Sequence, residues 1–416
     1  MLHIAIYLRM TKSQANKLGK LIREELKHSE TPSNTLLNNL QIYRTSFQND
    51  VSEVFENISN IAKSIRKDSI ICFRIKGIES ILSKIKRKPA LDLDAMEDIA
   101  GCRILVHHSS AIKKLIDTLT STFKVKHAND CLKKNKGVDA GGYFIYIESP
   151  VNTDKIIEIQ IKTVQNHKWV SLIEIIDTVF NTNIKEEQKQ PDFENFLSLL
   201  ADKPHLSISQ KEQLIEIDSK YEIYKKLNDV FIKNYMKLRN DWLSVNPHEN
   251  PYFILEVDPN KTSHIKSYQN YELAEKAYFN MFKEHIDSRV VLTHIEKPNF
   301  KKLSVAYKSS LLIKHDYMND WDTITSDILE YYVEKDDNTK ITFYKDYIQK
   351  NLSFQINLLN SEFKVLNKNK IDYSEYEEWF YDLEEKLLEI QKIVPQERPE
   401  IKEDKKRNFW SKMFGE

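Results

Sequence analysis

The sequence predicts an α+β protein: a mixed sheet flanked by helices, then a small second α/β unit and a helical C-terminal region. Three observations carry this. Between 71 and 163 short runs rich in β-branched and aromatic residues alternate with helical ones. "KIIEIQIKT", residues 155–163, alternates strictly, so Ile157, Ile159 and Ile161 point to one face while Glu158, Gln160 and Lys162 point to the other. From 250 a second, shorter strand–helix alternation begins, and from about 323 only helical periodicity remains.

Along the chain, residues 1–35 form an N-terminal segment whose first nine residues read as a short strand or an upstream extension, too short to span a membrane. Residues 36–182 form the main unit. It starts with a stretch, 36–70, whose apolar residues recur three and four apart without Gly or Pro. Strands are then expected at "IICFRI", "CRILV", "GYFIYI" and "IIEIQI", and helices over "IESILSKIKRK", "SAIKKLIDTLTSTF" and 164–182. Residues 183–249 read as a polar connector and a long helix, and 250–322 as the second unit, with strands at "YFILEVD" and "SRVVLTHI". Residues 323–394 are helical, and Pro395 and Pro399 open a charged tail, 395–416.

Lys+Arg and Asp+Glu are equal at 62 each, so no overall field advertises nucleic acid and any basic footprint must be local. The three cysteines, Cys72, Cys102 and Cys131, have no zinc-ligand spacing. As free thiols they fit a reducing, cytoplasmic setting. The dipeptide His315-Asp316 stands alone and is read as structural. The tail "RNFWSKMFGE" is a candidate docking segment for a protein partner, and no stable membrane insertion is expected.

Chemistry-bearing residues cluster in the main unit. In "DAMEDIAGCRILV", Asp98 precedes Gly101, and Arg103 lies inside an apolar strand, where a guanidinium needs solvent, an anion or a π partner. In "FRIKGIESILSKIKRK", Arg74 and Lys76 share one side of an extended segment that leads into a helix displaying Lys84 and Lys88. Only seven glycines occur in 416 residues, yet Gly137, Gly141 and Gly142 gather just before Tyr143. They mark a tight turn at the mouth of a strand.

In order, spacing and residue type, "FRIKGIESILSKIKRK", "MEDIAGCRILV", "GGYFIYI", "IIEIQIKT" and "NHKWVSLIE" resemble the synthetase domain of the RelA/SpoT alarmone synthetases, over roughly residues 40–180. The resemblance implies transfer of the β,γ-pyrophosphate of ATP to the 3′-hydroxyl of GTP or GDP, giving (p)ppGpp, with Mg2+ as cofactor. By motif position it implies Asp98 as the principal metal ligand and Glu158 as a second carboxylate, assisting the metal or drawing the acceptor proton. Arg74 and Arg103 would stack on the adenine; Lys76, Lys84 and Lys88 would face the ATP phosphates. Gln160 would complete the polar wall, and Tyr143 would stack on the acceptor base.

The acceptor side departs from the family pattern. After Tyr143 the family's Arg, Ser, aliphatic and His are Phe144, Ile145, Tyr146 and Ile147; Asp139 and Gly141 replace Lys and Asn; Ile175 follows Glu174 in place of His. Two alternatives therefore stand beside guanine-nucleotide transfer: pyrophosphorylation of the 3′ end of tRNA, and a non-catalytic nucleotide-sensing or defence-associated interaction protein. A homo-oligomer and a protein partner at the C-terminal region are compatible with all three.

Overall fold

The computed structural model describes residues 10–132, 141–182, 184, 190–201, 205–284, 288–313, 317–368 and 374–392. The expectations for residues 1–9, Gly137, Asp139, His315-Asp316 and the tail lie outside these residues. The chain divides into two compact units. One comprises Met1–Ile175 with Asp241–Leu311, the other Ile176–Asn240 with Leu312–Glu416.

In chain order the elements are α1 (Lys12–Glu25), α2 (Asn34–Thr45), α3 (Gln48–Ile65), β1 (Ile70–Ile75), α4 (Ile78–Arg87), β2 (Ala100–Val106), α5 (Ser110–Thr122), β3 (Val125–Asp130), β4 (Gly142–Glu148), β5 (Ile156–Thr163) and α6 (Val164–Phe180). There follow α7 (Pro191–Ala201), α8 (Ile208–Tyr221), α9 (Ile223–Leu243), β6 (Tyr252–Val257), β7 (Ser263–Tyr268), α10 (Tyr271–Glu284), β8 (Arg289–Ile295), α11 (Phe300–Ala306) and α12 (Lys308–Leu311). The C-terminal helices are α13 (Tyr317–Glu334), α14 (Asn338–Lys368) and α15 (Ser374–Lys392). Among the described residues no helix is long and apolar enough to cross a membrane.

Among the described residues eight strands form one mixed sheet in the order β3-β4-β5-β2-β1-β8-β6-β7. β2 and β5 run parallel, whereas β1 pairs antiparallel with both β2 and β8. The segment from 250, expected as a separate small unit, thus extends the sheet of the first. The Cys72–Ile295 and Arg74–Thr293 pairs are its seam. Pairing between strands this far apart in sequence leaves no local pattern, so the alternation was legible and its partner was not.

Alternation decides which face is core. Ile157, Ile159, Ile161, Ile145 and Ile147 are fully buried on one side, in the same cluster as α3 and α5. α3 lies across β1 and β2. α10 joins this layer through Ala274, Tyr278 and Met281. The expected continuous helical stretch over 36–70 breaks instead at Ser46–Phe47, giving α2 and α3, and its last residue starts β1. The other face carries the polar residues, with α12 packed over β6, β7 and β8. Edge strands β3 and β7 were not anticipated: "VKHAND" and "SHIKSY" each have one unpaired side, so their sequences need not be apolar.

The second unit is helical among its described residues. Its polar groups turn inward: buried Asp218 on α8 accepts from the Tyr224 amide and from the Tyr347 hydroxyl of α14. Burial raises the Asp218 carboxyl to about 6.

Candidate active site

The polar face is built by register. Gly101 on β2 stands opposite Glu158 on β5, Arg103 opposite Gln160, and Tyr146 on β4 opposite Glu158 from the other side. Gly101 keeps this row shallow, since a Cβ there would lie 3.1 Å from the Glu158 carbonyl oxygen and 3.5 Å from its carboxylate. Beside it, β1 contributes Arg74, paired with Gly101. Lys76 follows at the strand's end, where its amide donates to the Ile99 carbonyl at 2.8 Å. The Asp98 loop and the Lys76 turn are thereby tied through their backbones.

Asp98 sits between two ammonium groups: Lys76 Nζ donates to Oδ2 at 3.0 Å and Lys84 Nζ to Oδ1 at 2.8 Å. Burial works to raise the Asp98 carboxyl, but the two lysines outweigh it and hold the group down at about 2. For Lys76 burial wins, and its ammonium lies below the ordinary lysine value despite Asp98. Lys84 reaches this point because α4 starts at Ile78, buries Ile78, Ile81, Leu82 and Ile85, and turns its basic side to Asp98.

Glu158 has different company. Tyr146 Oη donates to Oε1 at 3.0 Å and Gln160 Nε2 to Oε2 at 2.7 Å. Gln160 is oriented in turn by Arg103 Nε, which donates to its Oε1 at 3.1 Å. The Tyr146 ring stacks on His127 of β3, with centroids 4.3 Å apart, and His127 Nε2 lies 2.7 Å from Glu97 Oε2. Burial and the Glu158 charge raise the Tyr146 phenol above its usual value, so it stays a donor.

Behind Arg74 and Arg103 lies the α11–α12 segment. Arg103 Nη1 donates to the Ala306 carbonyl at 3.4 Å, and the same oxygen accepts from His167 Nε2 at 3.0 Å. Ser309 donates to Glu174 at 2.6 Å, and Tyr307 is buried against Thr293. Burial, then repulsion by Arg103, depresses His167 to about 3, leaving a neutral ring. For Arg74, burial is outweighed by Tyr307, Glu174, Glu158 and Asp98, which together raise its value.

Of the residues singled out in the sequence, Asp98, Lys76, Lys84, Arg74, Arg103, Glu158 and Gln160 come together on this face. Two do not. Lys88 is exposed at the C-cap of α4. Tyr143 pairs with Ile161, so alternation sets it on the core side of the sheet, where its half-buried ring packs against the core. Sequence reading missed Tyr146, although the parity of Ile145 and Ile147 in "GYFIYI" already sets Phe144 and Tyr146 on the Glu158 side. His127 and Glu97 carried no comparable signal.

The glycine cluster has a local cause. Gly141 adopts φ +61°, and a Cβ there would collide with the Asn166 side chain. Asn166 Nδ2 donates to the Gly141 carbonyl at 3.0 Å, locking the turn before β4. Asn166 also lines a concavity of about 500 Å3 at the carboxyl ends of parallel β2 and β5, together with His107, Ser109, Ser110, Thr163 and Gln165. Ligands of open sheets favour such strand ends.

Among the described residues no cluster of three or more His, Cys, Asp or Glu is arranged to hold a metal. Asp98 and Glu158 nonetheless fit an ion of the Mg2+ kind, which takes one or two carboxylates and completes its shell with phosphate oxygens and water. Asp98 lies three residues before Gly101, the β2 residue paired with Glu158 on β5.

Residues 73–176 match the sequence model of the region found in RelA / SpoT proteins. Solved structures similar to the chain include small alarmone synthetase 1 from Bacillus subtilis bound to its product pppGpp, with 20% identity, 45% of this chain and 98% of that chain covered, and a TM-score of 0.35. A second structure of the Bacillus subtilis enzyme shows 18% identity over 44% of this chain and 97% of that one, at a TM-score of 0.34. A GTP pyrophosphokinase family protein from Streptococcus pneumoniae shows 21% identity over 42% of this chain and 88% of that one, at 0.32. No curated protein matches the chain.

Proposed function

We propose that this chain is a pyrophosphokinase that moves the β,γ-pyrophosphate of ATP to the 3′-hydroxyl of GTP or GDP, a reading supported by the match of residues 73–176 to the region found in RelA / SpoT proteins. The observation that carries it is the pair of unlike carboxylates on one sheet face: Asp98 between Lys76 and Lys84, and Glu158 between neutral Tyr146 and Gln160. Such transfer asks for cations along the phosphates and a positioned acceptor hydroxyl, with little covalent work by the protein.

Lys76 and Lys84 bind the ATP phosphates, for which they exchange part of their contact with Asp98. Asp98, with Glu158, would hold Mg2+, which when bound neutralises charge on the β- and γ-phosphate oxygens. Glu158 accepts the proton of the acceptor 3′-hydroxyl as its oxygen bonds to the β-phosphorus. The bond from that phosphorus to the α–β bridging oxygen breaks, and AMP leaves. Tyr146 and Gln160 keep the Glu158 carboxylate aimed while this happens. Arg74 and Arg103 border the donor side, and stacking on the adenine would require Arg103 to give up its Ala306 contact.

Purified protein with γ-labelled ATP, Mg2+ and a panel of GTP, GDP, ATP and deacylated tRNA tests this reading. Label on GTP or GDP is expected, lost in Glu158→Gln. Label on the tRNA 3′ end alone transfers the reading to tRNA. ATP binding without any transfer product makes the chain a nucleotide sensor.

A further inference from the structure

The catalytic face leaves one strongly built feature unexplained: a buried charge beneath it. Arg44 on α2 and Glu275 on α10 form an ion pair in which the Arg44 side chain is 0% exposed. Arg44 Nη1 also donates to Gln41 Oε1 at 3.1 Å, and its guanidinium carbon lies 4.4 Å from the centre of the Tyr278 ring. Burying two charges costs several kcal/mol, and apolar residues of the same volume often fill such a site with equal or greater stability. Stability alone does not account for it.

The remaining donors and acceptors show what apolar residues would not do. Arg44 Nε donates to the main-chain carbonyl of Lys76 at 3.0 Å. Tyr278 Oη accepts the main-chain N–H of Ile78 at 3.0 Å. Ile78 is the first residue of α4, where amides have no partner within the helix. The turn between β1 and α4 is therefore held from below at two points, one on each side of Gly77. That turn carries Lys76 itself and sets where α4 begins, and hence where Lys84 arrives.

We infer that Arg44, fixed by Glu275 and Tyr278, is a positioning residue for the two phosphate-facing lysines, so that residues 271–284 belong to the transfer machinery. This rests on the pyrophosphokinase reading above. It gives α10 a purpose that its place in the core layer does not require, and Arg44 acts only through Lys76 and Lys84.

The test is the double variant Arg44→Met, Glu275→Leu, which keeps volume and removes both charges and the donor to Lys76. Hydrogen exchange is expected to speed up about tenfold across residues 76–84, leaving β4 and β5 unchanged, for a loss of one buried hydrogen bond. KM for ATP is expected to rise about tenfold with acceptor KM unchanged and kcat lowered by less, the signature of donor binding rather than of general loss. Tyr278→Phe, which keeps the ring, is expected to raise KM for ATP about threefold and decides the matter where the double variant fails to fold. Exchange and KM for ATP both as in the wild type would overturn the inference. A wild type without transfer product defeats the pyrophosphokinase reading, and exchange across 76–84 together with affinity for a non-hydrolysable ATP analogue then decides whether the pair places the lysines.

Discussion

Asp98 and Glu158 sit on the same sheet face, yet one is surrounded by charge and the other by neutral donors. Asp98 accepts from two ammonium groups and ends at about 2; Glu158 accepts from a phenol and an amide. The lysines around Asp98 are mobile cations that can serve an anionic ligand. The donors around Glu158 are neutral side chains held by Arg103 and His127. One region is built to bind charge, the other to aim a single carboxylate. Phosphate binding and proton removal are thus assigned to different neighbours on the same surface.

The largest effect should come from removing either carboxylate's charge. Glu158→Gln keeps the shape but cannot take a proton, and kcat should fall by about 10³-fold with KM for ATP raised less than in Asp98→Asn. Asp98→Asn should also lower kcat by about 10²–10³-fold and in addition raise KM for ATP. Steady-state kinetics with labelled ATP separates the two. Equal effects on both constants in both variants would erase the distinction.

Acid should reach the two sides in sequence. His167, beside Arg103 on the Glu158 side, has its value depressed from 6.5 to about 3 by burial and then by Arg103. A histidine held neutral in the fold stabilises fully above its ordinary value and loses that stability as pH falls from 6.5 towards 3. The loss between pH 6.5 and 5 is about 2 kcal/mol. Asp98, depressed from 3.8 to about 2, keeps its contribution until the pH falls below 3.8. Urea unfolding at pH 7 and pH 5 should show a drop that His167→Gln removes, and the same drop in the variant would place the sensitive group elsewhere.

Next in size is Lys84→Ala, expected to raise KM for ATP by about 10- to 100-fold, since it removes a charge-assisted partner of phosphate. Tyr146→Phe should be milder. It takes one donor from Glu158 and leaves Gln160, so kcat should fall by about 3- to 10-fold with KM for ATP unchanged. A larger effect from Tyr146 than from Lys84 would mean that aiming the carboxylate limits turnover more than binding the donor.

What was legible in the sequence follows the same physical lines. β2 and β5 are interior strands, so their core faces must be apolar, and in β5 the alternation betrays both the strand and the side on which Glu158 and Gln160 lie. β3 and β7 are the edges of the sheet. Their exposure relaxes that demand, and His127 was lost with β3. The β1–β8 seam joins residues such as Phe73 and Thr293, 220 positions apart, which no local periodicity reports. Arg44 resembled any surface helix arginine because its burial depends on that same distant segment.

Lys88 offers the smallest and most exacting comparison. The family resemblance sets both Lys84 and Lys88 of this basic helix against the phosphates. The helix does not continue that far. Arg87 is its last residue, and Lys88 takes φ −116° and ψ 76° as the C-cap, just before Pro89. Its side chain is exposed, so Lys88→Ala should change KM for ATP by less than about twofold, within the range of an exposed charge. Measured beside Lys84→Ala, a rise equal to that of Lys84 would show that the phosphate-binding surface runs past the end of α4, and that Asp98's two lysines are only part of it.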